Sequence, residues 1–300
     1  MATTLKTAIA TYPHTKALKD GSVEPEGITL DHVEVTPIIA AFRRMIRNME
    51  FDVSEMAIST YFCARAYGKP ITAIPVFPLR SFQHGGIVYN AKSGVQSPKD
   101  LSGRKVGVRA YTVTGGVWVR GILKDEYGLD PDSVTWVVPD EEHVSEYPDQ
   151  PNVEKAPGAD LAKMLVDGDI VAAIGVGRVD DPNVKPLIPN GRDAAIAYAK
   201  KTGVYPINHT VVIQSKHLDA HPEFATALFD AFKQSKAAAA PDEELTKTGE
   251  ALGTDPVPYG LAKNRPTLEA MIRYNVEQRI IPSPIKLEDV FASNTLNLEA

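Results

Sequence analysis

Residues 105–127 read KVGVRAYTVTGGVWVRGILKDEY, and this stretch decides the class of fold. Lys105 to Val108 is a short apolar strand, Arg109 to Val113 is a polar turn, and Thr114 to Tyr127 is a helix that begins at two glycines. A strand feeding a helix through a tight turn is half of a βαβ unit. The same pattern continues outward. Downstream, Ala159 to Val166 reads as a helix ended by Gly168, and Ile170 to Ile174 as a buried strand. Upstream, Ser97 and Pro98 open a short helical turn closed by Gly103. Before it, Ile71 to Pro78 and Gly86 to Asn90 read as strands around the polar block Arg80-Ser81-Phe82-Gln83-His84.

The ends of the chain follow suit. Leu5 to Thr11, Ile28 to Val35 and Phe51 to Ile58 read as strands. Pro37 opens a helix whose buried stripe is Ile38, Phe42 and Met45, with Arg43, Arg44 and Arg47 mostly solvated. His209 to Gln214 returns as a strand, and Phe224, Leu228 and Phe232 recur on one helical face. Strands alternating with helices predict parallel α/β sheets. Candidate boundaries near 90–95 and 195–210 predict one lobe built from 1–92 and 200–300, with 93–199 inserted as a second lobe and a ligand cleft between them.

Composition narrows the function. Thirty-two Lys and Arg against 38 Asp and Glu leave a charge of -6, which argues against a nucleic-acid partner. The single cysteine, Cys63, makes neither an internal disulfide nor a thiolate zinc site. No apolar run reaches the roughly 18 residues of a membrane span, and the stretch after Met1 has no export signal, so a cytoplasmic protein is expected. Walker A, GxGxxG, GxSxG and HExxH motifs are absent. His217 and His221 have helical spacing, but they read as a solvated cap rather than a metal pair; His32 and His143 read as structural or exposed.

The chemistry-bearing residues gather at strand ends. His14, His84 and His209 each sit where a strand meets a loop. Glu55 lies inside a strand, where a buried carboxylate must be paired or neutralised, a salt bridge to an arginine being the plain alternative. Arg80, Arg109 and Arg120 are the candidate anion clamps, and the turn from Arg109 to Gly116 offers hydroxyls and N–H groups to an anion, or is simply a capped turn.

The segments Thr11-Tyr-Pro-His-Thr-Lys-Ala-Leu18, Phe51-Asp-Val-Ser-Glu-Met56, Ile74-Pro-Val-Phe-Pro-Leu-Arg-Ser-Phe82, Gly116-Val-Trp-Val-Arg-Gly-Ile-Leu123, Pro206-Ile-Asn-His-Thr-Val-Val-Ile213 and Asp255-Pro-Val-Pro-Tyr-Gly-Leu-Ala-Lys-Asn-Arg265 resemble the 4,5-dihydroxyphthalate decarboxylase family, in order over most of the chain. The resemblance implies a type 2 periplasmic-binding-protein-like fold, two α/β lobes around a central cleft, and loss of CO2 from 4,5-dihydroxyphthalate to give protocatechuate without a redox cofactor. The chain departs from the family pattern at Pro13-His14, at Arg109 to Val113 and at Gln83 to Gly86, which points to a close analogue as substrate.

On this reading Arg80 and Arg109 hold carboxylates, Arg120 more weakly, and Ser81, Tyr111, Thr112 and Thr114 complete the hydrogen bonding. Glu55, His14, His84 and His209 supply acid and base, unassigned between them. The same four residues are ligand types for a divalent metal, the alternative to a cofactor-free site. The expected partner is a small aromatic carboxylate, with neither nucleic acid nor membrane and a homo-oligomer left open. The rival class is a solute-binding protein of an ABC transporter for such a carboxylate, which the missing export signal disfavours.

Overall fold

The structure is a computed structural model and describes residues 2–300. Among the described residues, eleven strands form two sheets. The first sheet takes β1 (Thr3–Ala8), β2 (Ile28–His32), β3 (Val53–Ala57), β4 (Ile71–Arg80) and β11 (Ile207–Gln214), in the order β2-β1-β3-β11-β4. The second takes β5 (Ile87–Asn90), β6 (Lys105–Val108), β7 (Thr135–Val138), β8 (Val153–Lys155), β9 (Ala172–Ile174) and β10 (Val184–Pro186), in the order β10-β5-β9-β6-β7-β8.

Two sequence expectations change here. The sheets are mixed, because β11 runs antiparallel between β3 and β4, and β5 runs antiparallel to both β9 and β10. A chain that leaves one lobe and later returns must re-enter its sheet from the opposite end, which reverses the strand. Secondly, Ile87–Asn90 was expected in the first lobe, within 1–92, but pairs only in the second sheet. The first crossing therefore lies between Arg80 and Ile87, in the polar block itself, and the return lies between Pro186 and Ile207.

The helix Thr114–Tyr127 has the predicted limits, closed by Gly128 at φ 67°, where a glycine takes the left-handed conformation without steric cost. Its first half carries Trp118, whose indole N–H donates across the lobes to the Ile207 carbonyl at 2.9 Å. The helix Leu261–Glu277 packs on it so closely that a Cβ at Gly121 would stand 2.4 Å from the ring of Tyr274. That ring cannot swing aside, since it is fully buried, edge-on to Trp118, and bonded through its hydroxyl to Asp125 at 2.7 Å and Tyr198 at 3.1 Å. Gly121→Ala is expected to destabilise by about 1–3 kcal/mol, overpacking outweighing a helix-propensity gain of about 1 kcal/mol. An unchanged urea midpoint would show that the helices move apart freely.

One apolar core runs through both lobes, from Phe42, Tyr61 and Phe62 to Trp118, Trp136 and Tyr274. A second fills the outer side of the first sheet, where Phe224, Leu228 and Phe232 are buried as their spacing predicts. In the helix Ile39–Asn48, Phe42, Met45 and Ile46 face inward. Among the described residues no helix is long and apolar enough to cross a membrane.

Candidate active site

β3 and β11 build the centre of the site. Their antiparallel register sets His209 opposite Ala57 and Val211 opposite Glu55, so Glu55 and His209 share a face two residues apart. The carboxylate of Glu55, with no exposed surface, accepts three hydrogen bonds: from His209 Nδ1 at 2.5 Å, from the Tyr12 hydroxyl at 2.7 Å and from the Ala10 N–H at 3.0 Å. Burial opposes the Glu55 charge, yet His209, Ala10 and Tyr12 together hold its pKa below the usual carboxylate range. Tyr12 is pushed far up, by burial and then by Glu55, and keeps its proton. The salt bridge to an arginine is absent: histidine is the partner.

With Nδ1 committed to Glu55, the remaining ring nitrogen of His209, Nε2, is the one whose proton can move. Phe42 packs edge-on to the ring at 4.9 Å and fixes its plane. His14 stands alongside, stacked on Tyr12 at 5.4 Å. Its Nε2 donates to the Pro78 carbonyl at 2.9 Å, so Nδ1 is a buried acceptor with no protein partner. Burial lowers the His14 pKa and favours the neutral ring.

After β6, the turn before Thr114 offers neutral N–H and hydroxyl donors that are already occupied. The N–H groups of Tyr111 and Thr112 donate to the two oxygens of Glu142 at 2.5 and 3.0 Å, and the Thr112 hydroxyl adds a third bond. The Thr114 hydroxyl accepts from the Ser59 N–H at 3.1 Å and ties the second lobe to the end of β3. A cavity of about 550 Å³ lies beside this turn, lined by Tyr111, Glu142, Tyr147 and Gln150; neither Glu55 nor His209 reaches it.

Of the predicted residues, the fold brings together Glu55, His209 and His14, and separately Tyr111, Thr112 and Thr114. His84 goes elsewhere. It lies in the lobe crossing, 3.5 Å from Glu126 at the far end of the Thr114–Tyr127 helix and against Tyr198. The four-residue metal set is therefore not assembled, and among the described residues no three His, Cys, Asp or Glu are grouped to hold a metal. Arg80 donates to Asn264 and to the Tyr205 carbonyl while stacking on the Tyr205 ring at 4.6 Å, which braces the crossing; its buried Nε has no partner, and with Ser81 it lines a separate cavity of about 310 Å³ away from Glu55 and His209. Ser81 donates to Asn208 at 3.0 Å in the same brace. Arg109 is half exposed and pairs with Asp140 at 3.2 Å. Arg120 is fully buried between Tyr111 and Trp136, bonded to Gln278 and to the Tyr111 carbonyl.

Sequence reasoning missed two residues. Tyr12 was legible only as the neighbour of His14. Glu142 has no local signal, because its role depends on a turn 30 residues away. His143, expected to be structural or exposed, is structural: it is buried with Nδ1 3.2 Å from the Thr60 hydroxyl, its pKa pushed down to about 3 by burial and then by Arg109, Arg43 and Arg47. His217 pairs with Asp52 at 2.6 Å and His221 with Glu223 at 3.1 Å, so they form no metal pair.

Residues 17–244 match the family model described as NMT1/THI5 like. The chain belongs to the NMT1/THI5-like family. Within that relationship it is 30% identical over 289 residues to the 4,5-dihydroxyphthalate decarboxylase of Comamonas testosteroni, covering 87% of each chain. It is 34% identical over 180 residues to that of Pseudomonas putida, covering 57% of this chain and 69% of the relative. Among solved structures it is similar to the periplasmic aliphatic sulphonate binding protein SsuA from Escherichia coli, with a TM-score of 0.57 at 13% identity over 99% of this chain and 100% of SsuA. It is also similar to the desulfurization enzyme DSZB, with a TM-score of 0.52 at 17% identity over 98% and 99% of the two chains. The two-sheet periplasmic-binding-protein-like fold of this NMT1/THI5-like chain thus carries a binding protein in one case and an enzyme in the other.

Proposed function

We propose that this NMT1/THI5-like protein is a carboxy-lyase that removes CO2 from a hydroxylated aromatic dicarboxylate, 4,5-dihydroxyphthalate or a close analogue. The observation that carries the reading is the buried Glu55–His209 dyad with one ring nitrogen left free, in a chain related to decarboxylases. A receptor needs only donors for its ligand; a proton-transfer dyad is of no use to it.

Direct loss of CO2 would leave an aryl anion, so the ring carbon must be protonated first. In 4,5-dihydroxyphthalate each hydroxyl lies para to a carboxylate, and its deprotonation pushes electron density onto the carbon that bears that carboxylate. His14 Nδ1, a buried acceptor without a partner, takes the phenolic proton in this scheme. His209 Nε2 delivers a proton to the ring carbon, and Glu55 stabilises the imidazolium before transfer. The C–C bond then breaks, its electron pair restores the aromatic ring, and CO2 leaves with one carboxylate replaced by hydrogen. The balance needs one proton and no oxidant.

The test is incubation with 4,5-dihydroxyphthalate and a panel of hydroxylated phthalates, following CO2 and the monoacid product. Turnover of at least one diacid is the expected result. Tight binding across the panel without CO2 release would favour the transport receptor.

A further inference from the structure

We propose that Glu142 is an internal stand-in for the carboxylate of an aromatic diacid bound beside, and not at, the Glu55–His209 dyad, and that binding exchanges the two and unlatches residues 140–142 from the first lobe. The cradle itself is the first observation. Two successive N–H groups and a hydroxyl, from Tyr111 and Thr112, converge on one carboxylate, and they are donors to which a free carboxylate would bind as well.

The second observation is where that carboxylate comes from. Beyond β7 the chain crosses to the first lobe and is held there from one side. Arg43 and Arg47 donate to the carbonyls of Glu141 and Glu142, both at 2.7 Å, Arg47 pairs with the Glu141 carboxylate at 2.9 Å, and Lys69 with Glu146 at 2.7 Å. Half of these residues are exposed, and ion pairs between exposed groups hold weakly. The ion pairs of this strap are thus releasable, while the buried His143 and Val144 anchor its far end, and Glu142 is the tongue in the cradle.

The third observation points to a ligand. The hydroxyls of Tyr111 and Tyr147, in residues only 1% and 8% exposed, have no partner, and both side chains line the cavity beside Glu142. Arg120, stacked on Tyr111 at 4.1 Å and wholly buried, pairs with no carboxylate among the described residues, and its Nη1 is unpartnered. Glu142 therefore satisfies only part of a donor-rich pocket. A diacid brings the additional acceptors.

The choice of an aromatic diacid rests on the decarboxylase reading, so the experiment measures binding rather than turnover. Phthalate, which lacks the hydroxyls that the reaction needs, is titrated calorimetrically into the wild type, Glu142→Gln and Glu142→Ala. Removing the internal competitor is expected to tighten phthalate about tenfold, and saturating phthalate is expected to speed proteolysis between Pro139 and Gln150 in the wild type. Unchanged or weaker binding in folded variants overturns the proposal, as does failure of phthalate to bind any of them. If both variants unfold, Arg47→Ala loosens the strap without touching the cradle; about threefold tighter phthalate supports the exchange, and unchanged affinity overturns it. Tighter phthalate in a protein that turns over no diacid supports the exchange while sinking the decarboxylase reading.

Discussion

Glu55→Gln lowers turnover by about 10²- to 10⁴-fold and destabilises the fold by about 3–5 kcal/mol. Both effects come from one carboxylate. It is wholly buried and accepts from His209, Tyr12 and Ala10 at once, whereas an amide presents one oxygen and turns its N–H₂ toward a donor. The companion variant separates chemistry from stability. In His209→Gln an amide N–H can still donate to Glu55, so less stability is lost, yet no titratable nitrogen remains and turnover falls by the same factor. Measurement pairs CO2 release with urea unfolding. A folded His209→Gln protein with full turnover would remove the dyad from the reaction.

Stability falls as the pH drops below about 6.5. His143 is kept neutral by burial and by Arg109, Arg43 and Arg47, its pKa lowered from 6.5 to about 3. The unfolded chain binds that proton below about 6.5, while the folded one does not until near 3. Between those values the unfolded state holds more protons, and stability declines with falling pH by up to about 1.4 kcal/mol per pH unit for this one group. Above 6.5 nothing is lost. His14 and His84, lowered first by burial, act in the same direction. Glu55 adds its loss in a lower window, once the pH falls below the ordinary carboxylate range and toward its depressed pKa. Urea midpoints between pH 7.5 and 4.5 read the slope, and His143→Asn, which can keep a hydrogen bond to Thr60, flattens it by about one proton. A level profile in the wild type would falsify the assignment.

The strand-end rule singled out three residues that the fold brings together and two that it places in the lobe crossing, for one reason. His209 lies near the start of β11 and Glu55 within β3, on one face of the sheet, and His14 sits in the turn Pro13–Thr15 that follows β1. Arg80 and His84 also end or follow a strand, but there the chain is leaving the lobe. Their side chains turn into the crossing, where Asn264, 184 residues away, and Tyr205 take up the Arg80 donors. Arg43 and Arg47, expected to be mostly solvated, hold the strap of the other lobe. Nothing local in a helix shows what will pack across its polar face.

By itself the sequence determined what short-range physics controls. The apolar periods, the glycine that closes the helix Thr114–Tyr127, the strand–turn–helix unit ahead of it and the burial of Phe224, Leu228 and Phe232 follow from residues within a few positions of one another. The tertiary structure alone decided partnership. It set β11 antiparallel beside β3, which turns an acid and a histidine 154 residues apart into a dyad, and it delivered Glu142 to a cradle 30 residues back. Hydrogen bonds and ion pairs are satisfied by whichever group the closed chain brings within reach, and that is a property of the lobes' docking.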